Sequence, residues 1–197
     1  MEILYPPLFF VEDFHNTLIQ QRGSQGYVSK GMVGGCIEWA KTEVYNFIPF
    51  PGVLKRAAAM MYAYVTFHPF ADGNKRTALM VTSFFLFING YSFEITDDSP
   101  DFALQVAKRC SDDRHNPTEE IERIATWLRP KITRPVLTTS IYRRARSRLS
   151  QNAGMMDLLK SSSWATYYIL WRIETTKRFR ELLIARGKSN GSRSRQR

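Results

Sequence analysis

The sequence predicts a helical fold built around two buried central helices. Two long stretches, about residues 53–67 and 75–88, are apolar nearly all the way around a helix. Helices of this kind are surrounded by protein instead of lying on a wet surface. Asn89 and Gly90 predict the end of the second helix. We therefore expect these two helices to form the centre of the fold.

The first element along the chain is a predicted helix over residues 11–21. Its apolar residues recur at the spacing of one helix face, which favours a buried side. These residues are Val11, Phe14, Leu18 and Ile19. The glycines within residues 23–26 then predict a loop.

A second helix is predicted from about residue 30 to residue 44, with Ser29 as its N-cap. Glycines lie inside it, and each interior glycine costs about 1 kcal/mol relative to alanine. These glycines are Gly31, Gly34 and Gly35. Residues 47–51 are bounded by proline and predict a turn that leads into the first central helix.

After the central pair, the sequence predicts one short extended segment and two peripheral helices. The extended segment covers residues 91–95, and the helices cover residues 101–108 and 117–128. Asn116 is suited to cap the second of these helices, and Pro117 is suited to its first position, where a backbone N–H is not needed.

The composition is that of an ordinary globular protein, with 44% hydrophobic residues. Its two cysteines, Cys36 and Cys110, form no CxxC pair, which disfavours a disulfide framework or a zinc site. No signal peptide is evident, and the longest apolar stretch, residues 78–88, is shorter than the roughly 20 residues that a membrane span needs. We expect a soluble protein of the reducing cytoplasm.

The positive charge is concentrated towards the C-terminus. Residues 129–197 hold 17 Lys/Arg and three acidic residues, whereas the first 128 residues hold 11 basic and 15 acidic residues, so the two parts carry +14 and −4. Opposite signs of charge indicate different roles. We predict a helical domain over residues 1–128, a basic, partly helical extension over residues 129–187 and a disordered basic tail over residues 188–197.

The richest chemistry lies between the two central helices, in residues 68–78, HPFADGNKRTA. Pro69 disfavours the helical conformation for His68, so the first central helix should end there and present the imidazole, a candidate general base, at its exit. Phe70 would anchor the loop by burial. Asp72 supplies a hard oxygen ligand, the type that Mg²⁺ accepts together with substrate phosphates and waters.

The second half of this loop predicts a phosphate site. Gly73 permits a positive φ, so that successive N–H groups converge on an anion. Asn74 can cap the following helix or hold a phosphate oxygen. Lys75 and Arg76 fall in the first turn of that helix, where cations are unfavourable by roughly a few tenths of a kcal/mol unless an anion is bound. A phosphate reverses that sign, since Arg76 can grip it bidentately.

Residues 68–79, HPFADGNKRTAL, resemble the signature of the death-on-curing (Doc) toxins, a branch of the Fic/Fido fold. The neighbouring sequence agrees, because residues 55–59 and 87–91 flank the motif in the family manner and residues 26–37 look like the family's flap-side segment. The resemblance covers about residues 8–128. It implies an all-α, Fic/Fido-type helical bundle with the motif loop between two central buried helices, followed by a basic C-terminal helical extension.

The resemblance also implies a role for each polar residue of the loop. In this family the domain over residues 1–128 would be catalytic, and ATP and Mg²⁺ would be its substrate and metal. The implied roles are base on a target hydroxyl for His68, ligand of Mg²⁺ for Asp72, and phosphate binding for Gly73, Asn74, Lys75 and Arg76.

Lys75 bears on which group is transferred. Most Fic proteins transfer AMP to a protein hydroxyl, and their motif has Gly in place of Lys75 and Arg in place of Leu79. The Lys form is typical of the Doc branch, in which ATP binds in reversed orientation and the γ-phosphate is transferred. The resemblance therefore favours an ATP-dependent protein Ser/Thr kinase and leaves a protein adenylyltransferase as the alternative.

The resemblance further implies the partners. In this family the phosphorylated target is a threonine of elongation factor Tu, which arrests translation, and a small antitoxin with a disordered tail neutralises the toxin. The sequence lacks the Ser/Thr-x-x-x-Glu-Gly/Asn brake of self-inhibited relatives, which is consistent with a separate antitoxin. It departs from the family pattern at Val28 and Gly34, where Arg and Glu are frequent, so polar contacts near the flap are missing or replaced.

The basic region of residues 129–197 supports a rival function. Its cations are interleaved with aromatic residues, a composition that allows weak, sequence-blind binding to nucleic acid. The aromatic residues are Trp164, Tyr167, Tyr168, Trp171 and Phe179. A non-catalytic protein that binds nucleic acid or ribosomes is therefore the alternative of another class. The same aromatics can instead pack on the helical domain while the cations are solvated.

Overall fold

The computed structural model describes residues 3–20, 23–45 and 47–133. Over these residues the fold consists of helices with one short two-stranded sheet, so the predicted all-α class is confirmed. The helices are α1 (Leu8–Ile19), α2 (Lys30–Lys41), α3 (Gly52–Thr66), α4 (Asn74–Ile88), α5 (Ser99–Arg109) and α6 (Pro117–Leu128). The strands are β1 (Ser92–Phe93) and β2 (Ile132–Thr133), and a 3₁₀ turn, Arg129–Lys131, joins α6 to β2.

Helices α3 and α4 form the centre of the described fold, as predicted. Residues 57–65 of α3 and residues 77–88 of α4 are buried without interruption. Helix α3 packs against α4, α2 and α6, while α1 and α5 pack against α4. A helix that is apolar on all sides is stable only where other elements cover every face, and the surrounding helices provide that cover.

Helix α1 begins at Leu8, three residues earlier than predicted. Pro7 precedes it in an extended conformation, with φ −64° and ψ 147°. The earlier start places Phe10 on the buried face, where its ring lies 5.0 Å from that of Phe84. All four apolar residues predicted for this face are at most 4% exposed, so the predicted core side of α1 is confirmed.

Helix α2 ends at Lys41, three residues before the predicted end. Thr42 leaves the helical region with ψ 128°, and its hydroxyl donates to the Trp39 carbonyl at 2.7 Å. The chain then reverses in a tight turn in which Val44 and Phe47 pair through their backbones. A side chain that satisfies a carbonyl at the helix end competes with continuation of the helix, and apolar spacing alone does not reveal this.

The two predicted N-caps differ in detail. Ser29 precedes α2 as predicted, but its side chain makes no capping hydrogen bond. Asn116 caps α6, since its Oδ1 accepts from the Thr118 N–H at 3.0 Å and Pro117 occupies the first helical position. Both bounds of α6 match the prediction, and α5 is longer than predicted by two residues at its start and one at its end.

The predicted extended segment contains β1, which pairs antiparallel with β2. Next to this pair, the Glu94 N–H donates to the Lys131 carbonyl at 3.0 Å. Residues 129–133, which we predicted as the start of the extension, therefore return to the helical unit through backbone pairing. The remainder of the extension, its aromatic residues and the predicted tail lie outside the described residues, so the boundary after residue 128 stays a prediction.

Over residues 3–20, 23–45 and 47–133, no helix is both long enough and apolar enough to cross a membrane.

Asp98 ties the end of α6 to the segment between β1 and α5. Its carboxylate accepts from Trp127 Nε1 at 3.1 Å and lies 3.0 Å from Lys131 Nζ. Burial by itself would raise the pKa of Asp98, but hydrogen bonds from Thr96, Lys131 and Trp127 outweigh it and lower that pKa to about 2. The ionised carboxylate is therefore favoured by the folded state.

We predict that Asp98→Asn lowers the thermal unfolding midpoint near neutral pH. Because the folded pKa of about 2 lies below the ordinary value of 3.8, this stabilisation is complete above 3.8 and is lost as the pH falls towards 2. The difference in midpoint between wild type and variant should therefore shrink over that range, as followed by circular dichroism. The exposed Asp113→Asn serves as the control, and a difference for Asp98→Asn that does not depend on pH would contradict the account.

Candidate functional site

The motif loop, residues 67–73, begins where α3 ends. Phe67 follows the last residue of α3, and His68 has a φ of 46°, in the left-handed region. Proline disfavours the helical conformation for the residue before it, so Pro69 explains why the chain turns here. The predicted end of the helix is confirmed, and His68 is exposed at this exit.

Residues 26–29, here called the pairing segment, run antiparallel along the motif loop. Tyr27 pairs with Phe70 through the backbone. The Pro69 carbonyl accepts from the Val28 and Ser29 N–H groups at 2.9 and 3.2 Å. The Ala71 N–H donates to the Gly26 carbonyl at 3.0 Å. One side of the motif loop is therefore held by backbone hydrogen bonds to a segment that is distant in sequence.

Asn74 holds the loop from the other side. It is the first residue of α4 and is 7% exposed. Its Oδ1 accepts from the Phe70 N–H at 3.0 Å, and its Nδ2 donates to the Phe70 carbonyl at 2.7 Å. The ring of Phe70 is 1% exposed, so the predicted anchoring of the loop by burial is confirmed. In this geometry the Asn74 side chain clamps the loop instead of pointing to a ligand.

Gly73 gives the loop its final turn. It precedes α4 with φ 76°, a left-handed conformation that glycine adopts at little cost. A Cβ atom placed on Gly73 would lie only 2.8 Å from Cδ1 of Ile19 on α1. The predicted positive φ is confirmed, and the close approach of α1 adds a second reason for glycine that the sequence did not indicate.

Asp72 and Arg76 face each other across this turn. Arg76 Nη2 lies 3.6 Å from Asp72 Oδ2, and Arg76 Nη1 donates to the Leu18 carbonyl at 3.3 Å. Asp72 Oδ1 also accepts from the Gly73 N–H at 2.5 Å. The Asp72 side chain is 48% exposed and that of Arg76 is 18% exposed. The Asp72 carboxylate is thus open to solvent. The Arg76 guanidinium lies beside it and is held against α1 by its hydrogen bond to Leu18.

The start of α4 combines several positive charges. Lys75 and Arg76 occupy its first turn, which contains no acidic residue. Lys75 is half-buried, and it forms no ion pair within the described ranges. The free N–H groups of a helix start add further partial positive charge. The structure therefore brings Asp72, Gly73, Lys75 and Arg76 together at one helix start, with His68 at the opposite end of the motif loop.

The sequence around this site matches a known family model. Residues 8–86, from the start of α1 into α4, match the sequence model of the Fic/DOC family. Over this segment, 79 of its 197 residues, the chain is similar to the Fic/DOC family. Fic/DOC proteins are toxins or AMP-transferring enzymes that act on other proteins. A comparison with curated proteins gives no match.

Members of the Fic/DOC family share a general chemistry. Its enzymes are typically transferases that act on protein hydroxyls. They use nucleoside triphosphates, generally ATP with Mg²⁺, and are generally paired with an antitoxin. The helix start described above has the charge and the free N–H groups that a triphosphate requires.

Of the two departures from the family pattern, Val28 belongs to the pairing segment and Gly34 lies within α2. Val28 is 69% exposed and presents an apolar side chain where Arg is frequent in the family. Gly34 lies on α2, and a Cβ atom there would be 4.0 Å from Cδ1 of Leu8. The pairing segment is therefore less polar at Val28, and α2 is less polar at Gly34, than the family pattern.

His15 on α1 also belongs to this site, although the sequence analysis did not single it out. It is 2% exposed, and its ring stacks on Phe70 with 3.6 Å between centroids and 8° between planes. Burial, with a smaller contribution from Arg76, lowers the pKa of His15 to about 4, although Asp72 works in the opposite direction. The imidazole is therefore neutral near pH 7. Its position four residues after Val11 was the available signal, since it places His15 on the buried face.

The donor set fits Mg²⁺ bound together with a nucleotide. Over the described residues, no group of three or more His, Cys, Asp or Glu side chains comes together to form a complete metal site. Protein-bound Mg²⁺ commonly takes one or two carboxylates, with substrate phosphates and waters as its other ligands. Asp72 offers one such carboxylate, half exposed and beside the positive start of α4.

We predict that Asn74→Ala lowers the free energy of unfolding by about 1–3 kcal/mol. The reason is that the N–H and carbonyl of Phe70 are buried and would lose their partner. Chemical denaturation monitored by tryptophan fluorescence measures this loss. The neighbouring Lys75→Ala is the matched control and should change the stability by no more than about 0.5 kcal/mol. Equal stability of Asn74→Ala and wild type would show that the clamp is unimportant.

Proposed function

We propose that this protein is the toxin of a toxin–antitoxin pair that transfers a phosphoryl group from Mg-ATP to a Ser/Thr hydroxyl of a protein target. The observation that carries the proposal is the positive start of α4. Lys75 and Arg76 lie there without an acidic residue in the turn, directly after the left-handed Gly73. Asp72 balances only part of the charge of these two cations, and a bound anion makes their position at a helix start favourable.

In the proposed reaction the polyphosphate lies against this helix start. Arg76 donates in pairs to phosphate oxygens, and Lys75 contributes a point charge. The backbone N–H groups after Gly73 add donors that need no side chain. Since the Asn74 side chain is engaged on Phe70, its proposed contribution is to hold the backbone of this turn, and a direct phosphate contact would require the clamp to open.

His68 is proposed to act as the general base. Its exposed position at the entrance of the motif loop allows a target hydroxyl to approach its imidazole. The hydroxyl oxygen forms a bond to the γ-phosphorus, the bond from that phosphorus to the bridging oxygen breaks, and ADP leaves. The hydroxyl proton passes to His68.

Asp72 is proposed to hold Mg²⁺ through its half-exposed carboxylate. When bound, Mg²⁺ neutralises part of the charge of the phosphates. The carboxylate lies 3.6 Å from Nη2 of Arg76, so the metal ligand and the phosphate ligand are neighbours before any substrate arrives. The preformed pair supports simultaneous binding of metal and nucleotide at this turn.

Phosphoryl transfer is favoured over adenylyl transfer because of Lys75. Its half-buried side chain fills space at the helix start and adds charge where AMP-transferring relatives have glycine.

By resemblance, the target is elongation factor Tu, and the neutralising partner is a small antitoxin with a disordered tail in the same cytoplasm. Weak binding of nucleic acid through residues 129–197 stays a prediction from charge alone.

The proposal predicts a phosphoryl adduct on a threonine of elongation factor Tu after incubation with the full-length protein and Mg-ATP. Mass spectrometry identifies the adduct, since phosphoryl and adenylyl groups differ widely in mass. His68→Ala should slow its formation by about 10²- to 10⁴-fold, the usual contribution of a general base. An adenylyl adduct would establish the alternative activity, and absence of both would remove this target.

The proposal also predicts that Arg76→Ala weakens Mg-ATP binding at least about tenfold, because a charged bidentate contact is lost. Isothermal titration calorimetry of the full chain measures the dissociation constant. Arg114→Ala is the matched control, since Arg114 is an exposed arginine in the loop before α6. Equal affinity of wild type and Arg76→Ala would place the nucleotide elsewhere.

A further inference from the structure

His15 is a buried histidine that the proposed reaction does not use. Its Nδ1 lies 3.2 Å from Oγ1 of Thr77, a buried residue of the first turns of α4. Its ring stacks face to face on Phe70 of the motif loop. One side chain of α1 therefore contacts both halves of the site, the loop through its ring face and the helix through a ring nitrogen.

The same side chain lies beneath the turn at Gly73. A Cβ atom on Gly73 would lie 3.5 Å from Cε1 of His15 and 2.8 Å from Cδ1 of Ile19. Both of these side chains come from α1, one helical turn apart. Together they pack against the backbone at Gly73, immediately before the first N–H groups of α4.

The use of histidine at this position has a cost. Its Nε2 is buried and has no protein partner within the described residues. A buried polar group without a partner destabilises the fold, whereas phenylalanine would stack on Phe70 without that loss. The other ring nitrogen, Nδ1, is hydrogen-bonded to Thr77. A histidine here therefore provides a polar contact that phenylalanine could not, which indicates that this contact has a use beyond packing.

We propose that His15 is a positioning residue of the transfer site: by stacking on Phe70 and bonding to Thr77, it fixes the motif loop and the start of α4 in the geometry that receives the nucleotide phosphates. This inference rests on the proposed function. Thr77 is the residue after Arg76 on α4, so a shift at Thr77 moves the guanidinium with it. Small displacements of positioned groups are known to lower rates by orders of magnitude.

The test is a double-mutant cycle with His15→Phe and Thr77→Val in the full-length protein. Each variant keeps the approximate shape of the side chain and removes one partner of the hydrogen bond. Isothermal titration calorimetry with Mg-ATP gives the dissociation constant, and thermal unfolding reports stability. Each single variant should remain folded and bind Mg-ATP about three- to tenfold more weakly, the effect of one lost hydrogen bond.

The double variant should be no weaker than either single variant, because both remove the same contact. His15→Asn, which retains a polar atom near the position of Nδ1, should recover part of the affinity. Thr82→Val is the matched control, since Thr82 is another buried threonine of α4 whose hydroxyl has no partner in the described ranges. It should leave the dissociation constant unchanged.

Two results would overturn the inference while leaving the proposed function intact. One is a folded His15→Phe or Thr77→Val variant that binds Mg-ATP as wild type does. The other is a double variant whose loss equals the product of the two single losses. If His15→Phe fails to fold, Thr77→Val and Thr82→Val still decide the question. Absence of Mg-ATP binding by the wild-type protein would instead overturn the proposed function and this inference together.

Discussion

The geometry of the site depends on the pair of hydrogen bonds between the Asn74 amide and the backbone of Phe70. These bonds close a short ring between the motif loop and the first residue of α4. Asp72 lies within that ring, and Arg76 lies beside it. Because the amide is buried, water does not compete for these bonds, and the backbone is fixed before any ligand binds.

The rest of the fold supports this ring from two directions. The pairing segment holds the outer edge of the motif loop with backbone hydrogen bonds. Helix α1 supports the inner edge, where His15 and Ile19 lie against Phe70 and Gly73. The apolar helices α3 and α4, which precede and follow the loop in the chain, are themselves buried along most of their length. The polar residues of the motif loop are therefore positioned by backbone hydrogen bonds on one side and by buried side chains of α1 on the other.

The sequence revealed the parts of this arrangement that depend on local chemistry. Apolar residues on all sides of two stretches predicted the buried helices α3 and α4. Pro69 predicted the turn at His68, and the glycine at position 73 predicted a positive φ there. The contacts that join distant segments were not predictable in this way. Three contacts depend on how the elements pack in three dimensions. They are the hydrogen bonds of Asn74 to Phe70, the position of His15 next to Gly73 and the pairing of β1 with β2. A local sequence pattern does not determine, for example, how closely α1 approaches α4.

The central claim is that the turn from Gly73 to Arg76 receives the phosphates of Mg-ATP. Nuclear magnetic resonance of the ¹⁵N-labelled protein during titration with Mg-ATP tests it most directly, since each backbone N–H reports its own surroundings. The account predicts that the largest shifts occur at the amides of Gly73, Asn74, Lys75 and Arg76. Saturable shifts confined to other residues, or no shifts at all from a folded protein, would contradict it.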